Sequence, residues 1–360
     1  PLMNLDDLQA MAGLDSGDMA ARIGELPEQC RSAWEQAESL KLPQALADVD
    51  RVVIVGMGGS AIGGALLRDL VADEIDVPVS VVRGYTLPRF VCGPGTLVVA
   101  CSHSGNTEET LSCFKQAVNR GAQVLAITTG GTLADLADRA GAPVIRFDYQ
   151  SQPRAALGYS FILLLGAVHQ LGLVRDFTED VAEAAASMEA LQVEIEPEIP
   201  TGKNAAKQLA AKTHGKLPVI YGAGFLGATA NRWKTQFNEN AKSWAFFEVL
   251  PELNHNAVVG LTIPEIVRDR SLVIALRSLL DSERLTQRWD VTREVLEREG
   301  VAAEEVWGSG QSKLAQMMSL IHFGDYVSYY AAALNQVDPT PVDTIAFLKH
   351  RLAEFGKVVE

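Results

Sequence analysis

Short apolar runs closed by glycine and followed by amphipathic stretches recur along the chain. Each run is of strand length and each amphipathic stretch of helix length. Residues 51–70, RVVIVGMGGSAIGGALLRDL, combine the three parts in immediate succession and predict a strand, a tight turn and a helix. Further strands are predicted at 79–83, 97–101, 124–128 and 144–147, with helices from about residue 107 to 119 and over 133–140. Strands that alternate with helices imply a parallel, doubly wound sheet whose ligands bind beyond the strand C-termini. The glycine- and hydroxyl-rich turns at 56–60 and 102–107 both fall on that edge.

Before the first strand, residues 6–49 read as helical. Ile23, Leu26, Cys30, Trp34 and Ala37 lie at helical spacing, and breaks fall near Pro27 and Pro43. After the first sheet, 159–174 reads as a core helix and 179–200 as an acidic helix ending in the proline-rich EIEPEIP. A second pass of the pattern follows, with strands at 217–224, 271–276 and 304–307 and helices at 225–237, 282–299 and 313–334. The expected division is a helical segment at 1–49 packed on the first domain, a first α/β domain at 50–176 that carries the hydroxyl-rich turns, a helix and linker at 177–202, and a second domain at 203–360. The repetition suggests a duplicated α/β unit. Phe225–Leu226 stands in the second copy where the first has serine, so phosphate chemistry is expected only in the first.

Composition narrows the partners. With 48% apolar and 21% charged residues, the chain reads as globular, and 360 residues suffice for two cores. A net charge of -14 argues against non-specific nucleic-acid binding and against an anionic membrane surface. Any anion must therefore be held by a local site of amides and hydroxyls. Cys30, Cys92, Cys101 and Cys113 show neither a CxxC pair nor a metal-ligand spacing, which fits reduced thiols in a cytoplasm and no metal. The polar, acidic start has no leader pattern, and 159–174 is too short and too interrupted by Gly166, His169, Gln170 and Gly172 to span a bilayer.

The stretch 97–110, LVVACSHSGNTEET, carries the strongest chemical signal. Gly105 permits a sharp turn, and Ser102, Ser104 and Thr107 place three hydroxyls at a helix N-terminus, where free amides and the helix dipole favour an anion. The competing reading is a simple N-cap by Ser104 or Thr107, with Glu108 or Glu109 in the first turn. The turn GMGGSAIGG also approximates a dinucleotide fingerprint at Gly56, Gly58 and Ala61. The ribose-binding acidic position is Arg83, which could suit a 2′-phosphate, but a dinucleotide site has no use for a second hydroxyl loop.

With GMGGS at 56–60 and SHSGNTEET at 102–110 on consecutive strand–helix turns, the chain resembles the sugar isomerase (SIS) domain. Two such units in tandem, with FNENAKSWAFFEVLPELNHNAVVG at 237–260 and DPTPVDTIAFLK at 338–349, resemble the bifunctional phosphoglucose/phosphomannose isomerase family over nearly the whole chain. The resemblance implies an α/β fold of two tandem doubly wound SIS-type domains, with parallel sheets and helices on both faces. It places the phosphate-binding groups on Ser60, Ser102, Ser104 and Thr107, together with Gly58 and Gly59. It places the catalytic base on Glu239, the ring-opening histidine on His255, the arginine beside the reacting carbons on Arg154, and the C-terminal lysine on Lys349. It further implies a hexose 6-phosphate substrate, no cofactor, and a homodimer in which His255 serves the neighbouring subunit's site.

The implied chemistry is coherent. Aldose–ketose isomerisation moves a proton between C1 and C2 through a cis-enediolate, which one carboxylate can take and return. A cation beside O1 or O2 stabilises the enediolate. An imidazole, assisted by a lysine, can open the sugar ring. Thr340 in DPTP is a candidate neighbour of C2, where glucose and mannose differ. Two further readings are a non-catalytic sugar-phosphate sensor, which would lack any use for Glu239 and His255, and an amino-sugar enzyme, for which no glutaminase-type cysteine precedes the domains.

Overall fold

The apolar runs form the strands they predict, and the computed structural model describes residues 3–356. In chain order the first half contains α1 (Leu8–Leu14), α2 (Met19–Gly24), α3 (Leu26–Glu38), β1 (Arg51–Val55), α4 (Gly58–Leu70), β2 (Val79–Val82), β3 (Thr96–Ser102), α5 (Glu108–Asn119), β4 (Gln123–Thr128), α6 (Gly131–Ala140), β5 (Val144–Arg146) and α7 (Leu157–Gln170). After α8 (Thr178–Ile195) come α9 (Ala205–Thr213), β6 (Leu217–Ala223), α10 (Gly227–Glu239), β7 (Phe246–Leu250), α11 (Glu265–Arg270), β8 (Ser271–Arg277), α12 (Glu283–Arg298), β9 (Ala302–Trp307), α13 (Lys313–Leu334) and α14 (Asp343–Ala353).

Two compact units result. One joins Glu28–Val181 with Val342–Glu360, the other Pro1–Pro27 with Ala182–Pro341. The segment before β1, expected to pack wholly on the first domain, therefore divides at Pro27. In α3, the Gln29 amide donates to the Ala155 carbonyl at 2.8 Å and the Trp34 indole donates to Thr178 at 3.0 Å, which ties this helix to the first unit. Asp6 instead accepts from the Thr201 backbone N–H at 2.8 Å and from the buried Lys207 ammonium at 3.1 Å, which ties the residues before α1 to the second. The final stretch, expected within the second domain, groups with the first unit, although every side chain of α14 is exposed.

The first unit holds a five-stranded sheet in the order β2-β1-β3-β4-β5, every pair parallel. Strand β3 is buried along its whole length, as a central strand covered on both faces must be. Val53, Val55, Val98 and Ala100 point into one core with Leu111 and Phe114 of α5 and Leu133 of α6, and α4 and α7 pack together on the other side.

The second unit repeats this order with one strand fewer, β7-β6-β8-β9, again parallel throughout. Strand β6 takes the place of β1, β7 of β2, β8 of β3 and β9 of β4, as expected of a duplicated unit. Trp289 and Leu296 of α12 close one face with Tyr221 and Val273. Helix α13 is buried at nearly every position, including its polar residues Gln316, Ser319, His322, Asp325 and Ser328.

Candidate functional site

The hydroxyl-rich turn lies at the C-terminal edge of the first sheet, where its strand ends. Gly105 adopts a φ of +67°, and a Cβ there would fall 1.8 Å from the Gly130 carbonyl oxygen, so only glycine lets this turn lie against the next one. Asn106 braces the contact. Its Oδ1 accepts from the backbone and hydroxyl of Thr132 at 3.1 and 2.9 Å, and its amide donates to the Ser104 carbonyl at 3.0 Å.

The hydroxyls are not used as helix caps. Thr107 holds the N-cap position of α5 with no side-chain cap bond, and its Oγ1 lies 3.0 Å from Ser102 Oγ across the turn. Ser104 is exposed and its Oγ accepts only the Asn106 backbone N–H at 3.3 Å. The capping alternative thus fails in its geometry, and the first turn of α5 keeps amides without intrahelical partners beside these hydroxyls. Ser60, buried in the first turn of α4, accepts the His103 backbone N–H at 3.1 Å, which joins the two glycine turns into one surface.

Arg154 is brought to the same edge. It sits on a 3-10 turn, Pro153–Ala155, and is 2% exposed. A Cβ at Gly59 would lie 2.9 Å from the Arg154 backbone nitrogen, so the absence of a side chain there lets the helix start and the arginine segment touch. Gly58, with a φ of +51°, is the exposed residue that opens the turn. Glycine is therefore required at 59 by packing.

The second unit carries Glu239 and His255. Glu239 is the last residue of α10 and is half-buried, and its carbonyl accepts from the Lys242 ammonium at 2.6 Å. The same ammonium donates to the Pro339 carbonyl at 3.2 Å, so Lys242 links Glu239 to the DPTP turn that holds Thr340. Lys242 has no signal in spacing or hydropathy; its positive φ of 52° and this bridge emerge only from the fold. His255 ends a short 3-10 turn, Glu252–His255, which is anchored by the buried Leu253 and by an Asn254–Thr292 hydrogen bond of 2.9 Å. Its own side chain is exposed and bonded to no other candidate residue. Lys349 lies in the middle of α14, exposed, and groups with the first unit.

The turn after β8 matches the hydroxyl turn in position but not in chemistry. Buried Arg277 is paired with Glu305, and its guanidinium lies 5.2 Å from the Trp289 ring and 4.5 Å from the Trp307 ring. Asp281 accepts the Trp289 indole N–H at 3.0 Å, and burial raises its pKa. Ser282 caps α12 through the Leu285 N–H at 3.3 Å. A buried, ion-paired arginine between aromatic rings thus stands here in place of the hydroxyls of the first turn.

Comparison with known proteins places both units among SIS domains. The SIS domain model matches residues 45–146, and the model of the bacterial phospho-glucose isomerase C-terminal SIS domain matches 202–352. The bifunctional phosphoglucose/phosphomannose isomerase of Caldicellulosiruptor bescii is 44% identical over 337 residues, which span 93% of this chain and 99% of that protein. The chain belongs to the bifunctional phosphoglucose/phosphomannose isomerase family. The Aquifex aeolicus protein of the same description is 36% identical over 320 residues, covering 89% of this chain and 95% of that protein. A hypothetical protein from Thermus thermophilus superposes with a TM-score of 0.73 at 16% identity, covering 96% and 92% of the two chains, and so shares the fold.

As a phosphoglucose/phosphomannose isomerase family member, the chain is an isomerase, and the sensor reading is not favoured. Among the described residues no helix is long and apolar enough to cross a membrane, and no three His, Cys, Asp or Glu side chains are grouped to hold a metal ion. The family motifs also bring in one residue that sequence reasoning passed over. In SHSGNTEET the histidine sits between two candidate phosphate ligands, and nothing in its spacing marked it; the fold turns its ring toward the arginine segment.

Proposed function

We propose that this protein interconverts fructose 6-phosphate with glucose 6-phosphate and mannose 6-phosphate through a cis-enediolate. The observation that carries the reading is the uncapped hydroxyl turn: Ser102, Ser104 and Thr107 stand at the start of α5 without capping it, in the unit that also buries Arg154 against Gly59. Hydroxyls and amides of this kind hold a phosphate dianion without a lysine, which suits a chain of net charge -14. Ser60, Gly58 and Gly59 complete the phosphate site.

Glu239 is the base that takes the proton from one carbon and returns it to the other. Arg154 supplies the fixed positive charge that stabilises the enediolate oxygen. His255, with Lys349, transfers the proton between O1 and O5 that opens the ring. Thr340 lies on the turn tied to Glu239 through Lys242, which supports a place near C2. Residues held on several segments position the reacting carbons with binding energy from the distant phosphate.

The enzyme acts as a homodimer, with His255 serving the partner's site. Its exposed position supports this, as do the solvent-facing apolar side chains around it and elsewhere. Val259 is 84% exposed and Ile263 83%, Trp244, Phe246 and Phe247 lie exposed at the edge strand β7, and α14 presents Phe347 and Leu348. It works in the cytoplasm, consistent with the free state of all the cysteines.

The test is isomerisation of both hexose 6-phosphates by purified protein in the presence of a chelator. Turnover of fructose 6-phosphate to both products supports the reading, and no turnover of either overturns it. Mixing Glu239→Gln with His255→Ala protein tests the shared site. Restored activity in the mixture supports it, and additive inactivity overturns it.

A further inference from the structure

The imidazole of His103 is the group at this edge for which neither phosphate binding nor proton transfer has a use. Its position is nonetheless closely defined. The backbone N–H donates to Ser60 Oγ at 3.1 Å, and the backbone carbonyl accepts the Thr129 N–H at 3.1 Å and the Thr129 hydroxyl at 2.7 Å. The ring reaches the other way. Its Nε2 lies 3.1 Å from the Tyr149 carbonyl oxygen, and since a carbonyl only accepts, Nε2 carries the hydrogen. The ring meets Phe147 edge-on at 5.6 Å, and Phe147 stacks in turn on Tyr159 at 5.5 Å.

Tyr149 and Phe147 belong to the segment that leads into Arg154. That segment is therefore held at several points, by the His103 ring upstream, by the close approach of Gly59 to the Pro153–Arg154 backbone, and by the Gln29 amide on the Ala155 carbonyl downstream. Ser60, Ser102, His103, Phe147 and Pro153 all line one narrow void of about 10 Å³, so the phosphate turns, the imidazole and the arginine segment converge on the same point. Partial burial lowers the pKa of His103, which favours a neutral ring with one N–H to donate.

We propose that His103 is a positioning residue that helps lock the Arg154 segment to the phosphate turns, so that its imidazole hydrogen bond contributes to setting the distance between bound phosphate and the enediolate-stabilising guanidinium. The proposal rests on the reading of Arg154 and the hydroxyl turn given above. It separates anchoring from chemistry: loss of the lock leaves the phosphate held but the arginine misplaced.

The experiment compares His103→Phe, which keeps a ring against Phe147 but removes the donor, with His103→Gln, which restores an N–H. The readouts are kcat and KM for fructose 6-phosphate, competitive inhibition by inorganic phosphate, and thermal unfolding. In His103→Phe, kcat is expected to fall about 10- to 100-fold, the loss typical of a small misplacement of a catalytic group, while inhibition by phosphate and thermal unfolding stay as in the parent. His103→Gln is expected to recover most of kcat, and Arg154→Ala combined with His103→Phe to be no slower than Arg154→Ala alone. Parent kcat in His103→Phe, phosphate inhibition weakened in step with kcat, or losses that multiply in the double variant would each overturn the lock. Parent kcat in Arg154→Ala would overturn the assignment of Arg154, and the lock with it, whereas failure of the histidine variants alone leaves that assignment standing.

Discussion

The turn after β3 and the turn after β8 hold corresponding places in two sheets of the same strand order, and each contains serines before an amphipathic helix. After β3 the hydroxyls face one another across the turn and the helix start is left without a side-chain cap. After β8 the serine at the helix start caps it, and the strand end is closed by an arginine paired with Glu305 between two indoles. An anion site depends on donors left unused by the fold. In the first copy, among the described residues, the hydroxyls of Ser102 and Thr107 pair only with one another and the helix start carries no side-chain cap, whereas in the second the serine caps its helix and the arginine is paired with Glu305.

Four substitutions or measurements would break or sharpen that contrast. The largest effect is expected from Glu239→Gln: kcat should drop by about 10²- to 10⁴-fold, the usual contribution of a general base, with sugar-phosphate affinity retained in titration calorimetry. Comparable turnover would remove the second unit from the chemistry. Next, Ser102→Ala should raise the KM for fructose 6-phosphate by roughly 10- to 100-fold, because a hydrogen bond to a charged phosphate contributes about 1.5–3 kcal/mol. An unchanged KM there would leave the hydroxyl turn without a ligand.

The third concerns the second unit's buried helix α13. His322 is fully buried, with Nε2 at 3.2 Å from the Gln192 amide oxygen, and burial pushes its pKa down to about 3. Between that value and the ordinary 6.5, the unfolded chain takes up a proton that the folded chain refuses. Stability should therefore be fully present above pH 6.5 and fall as pH drops, by up to about 1.4 kcal/mol per pH unit. Denaturant melts from pH 8 to 4 should show this slope in the parent and a shallower one in His322→Gln. The smallest effect is expected from Ser282→Ala, which removes the α12 cap: about 1 kcal/mol less stability and an unaltered KM. A raised KM in that variant would mean the second turn binds ligand after all.

Much of the architecture was readable from the residues. The strands β1, β3, β4, β6 and β8 are continuous apolar runs because both faces of a parallel strand are covered, and a run of that kind is visible without any tertiary knowledge. Strand β7 was not read as a strand. It is an edge strand whose Phe246 and Phe247 are exposed, so burial imposes no alternation on it. Helix α9 escaped for a similar reason: its buried Lys207 interrupts the apolar pattern, and its burial is explained by partners outside the helix, Asp6, some two hundred positions earlier in the chain, and the Pro197 carbonyl.

The candidate site divides along the same line. The cluster of Ser102, Ser104 and Thr107 around Gly105 was determined by local sequence, since a glycine turn, neighbouring hydroxyls and a helix start are properties of adjacent residues. Whether those hydroxyls cap the helix or stay available is decided by how the turn is braced from Gly130 and Thr132, which the local stretch does not contain. The burial of Arg154 against Gly59, the reach of the His103 ring to Tyr149, the bridge from Lys242 to Pro339 and the division of the N-terminal helices at Pro27 likewise join residues far apart in the chain. Hydropathy and turn chemistry act over a few residues, so the sequence alone determines strands, helices and a candidate hydroxyl turn, whereas which polar groups are bonded within the fold is a sum over distant neighbours that only the tertiary structure decides.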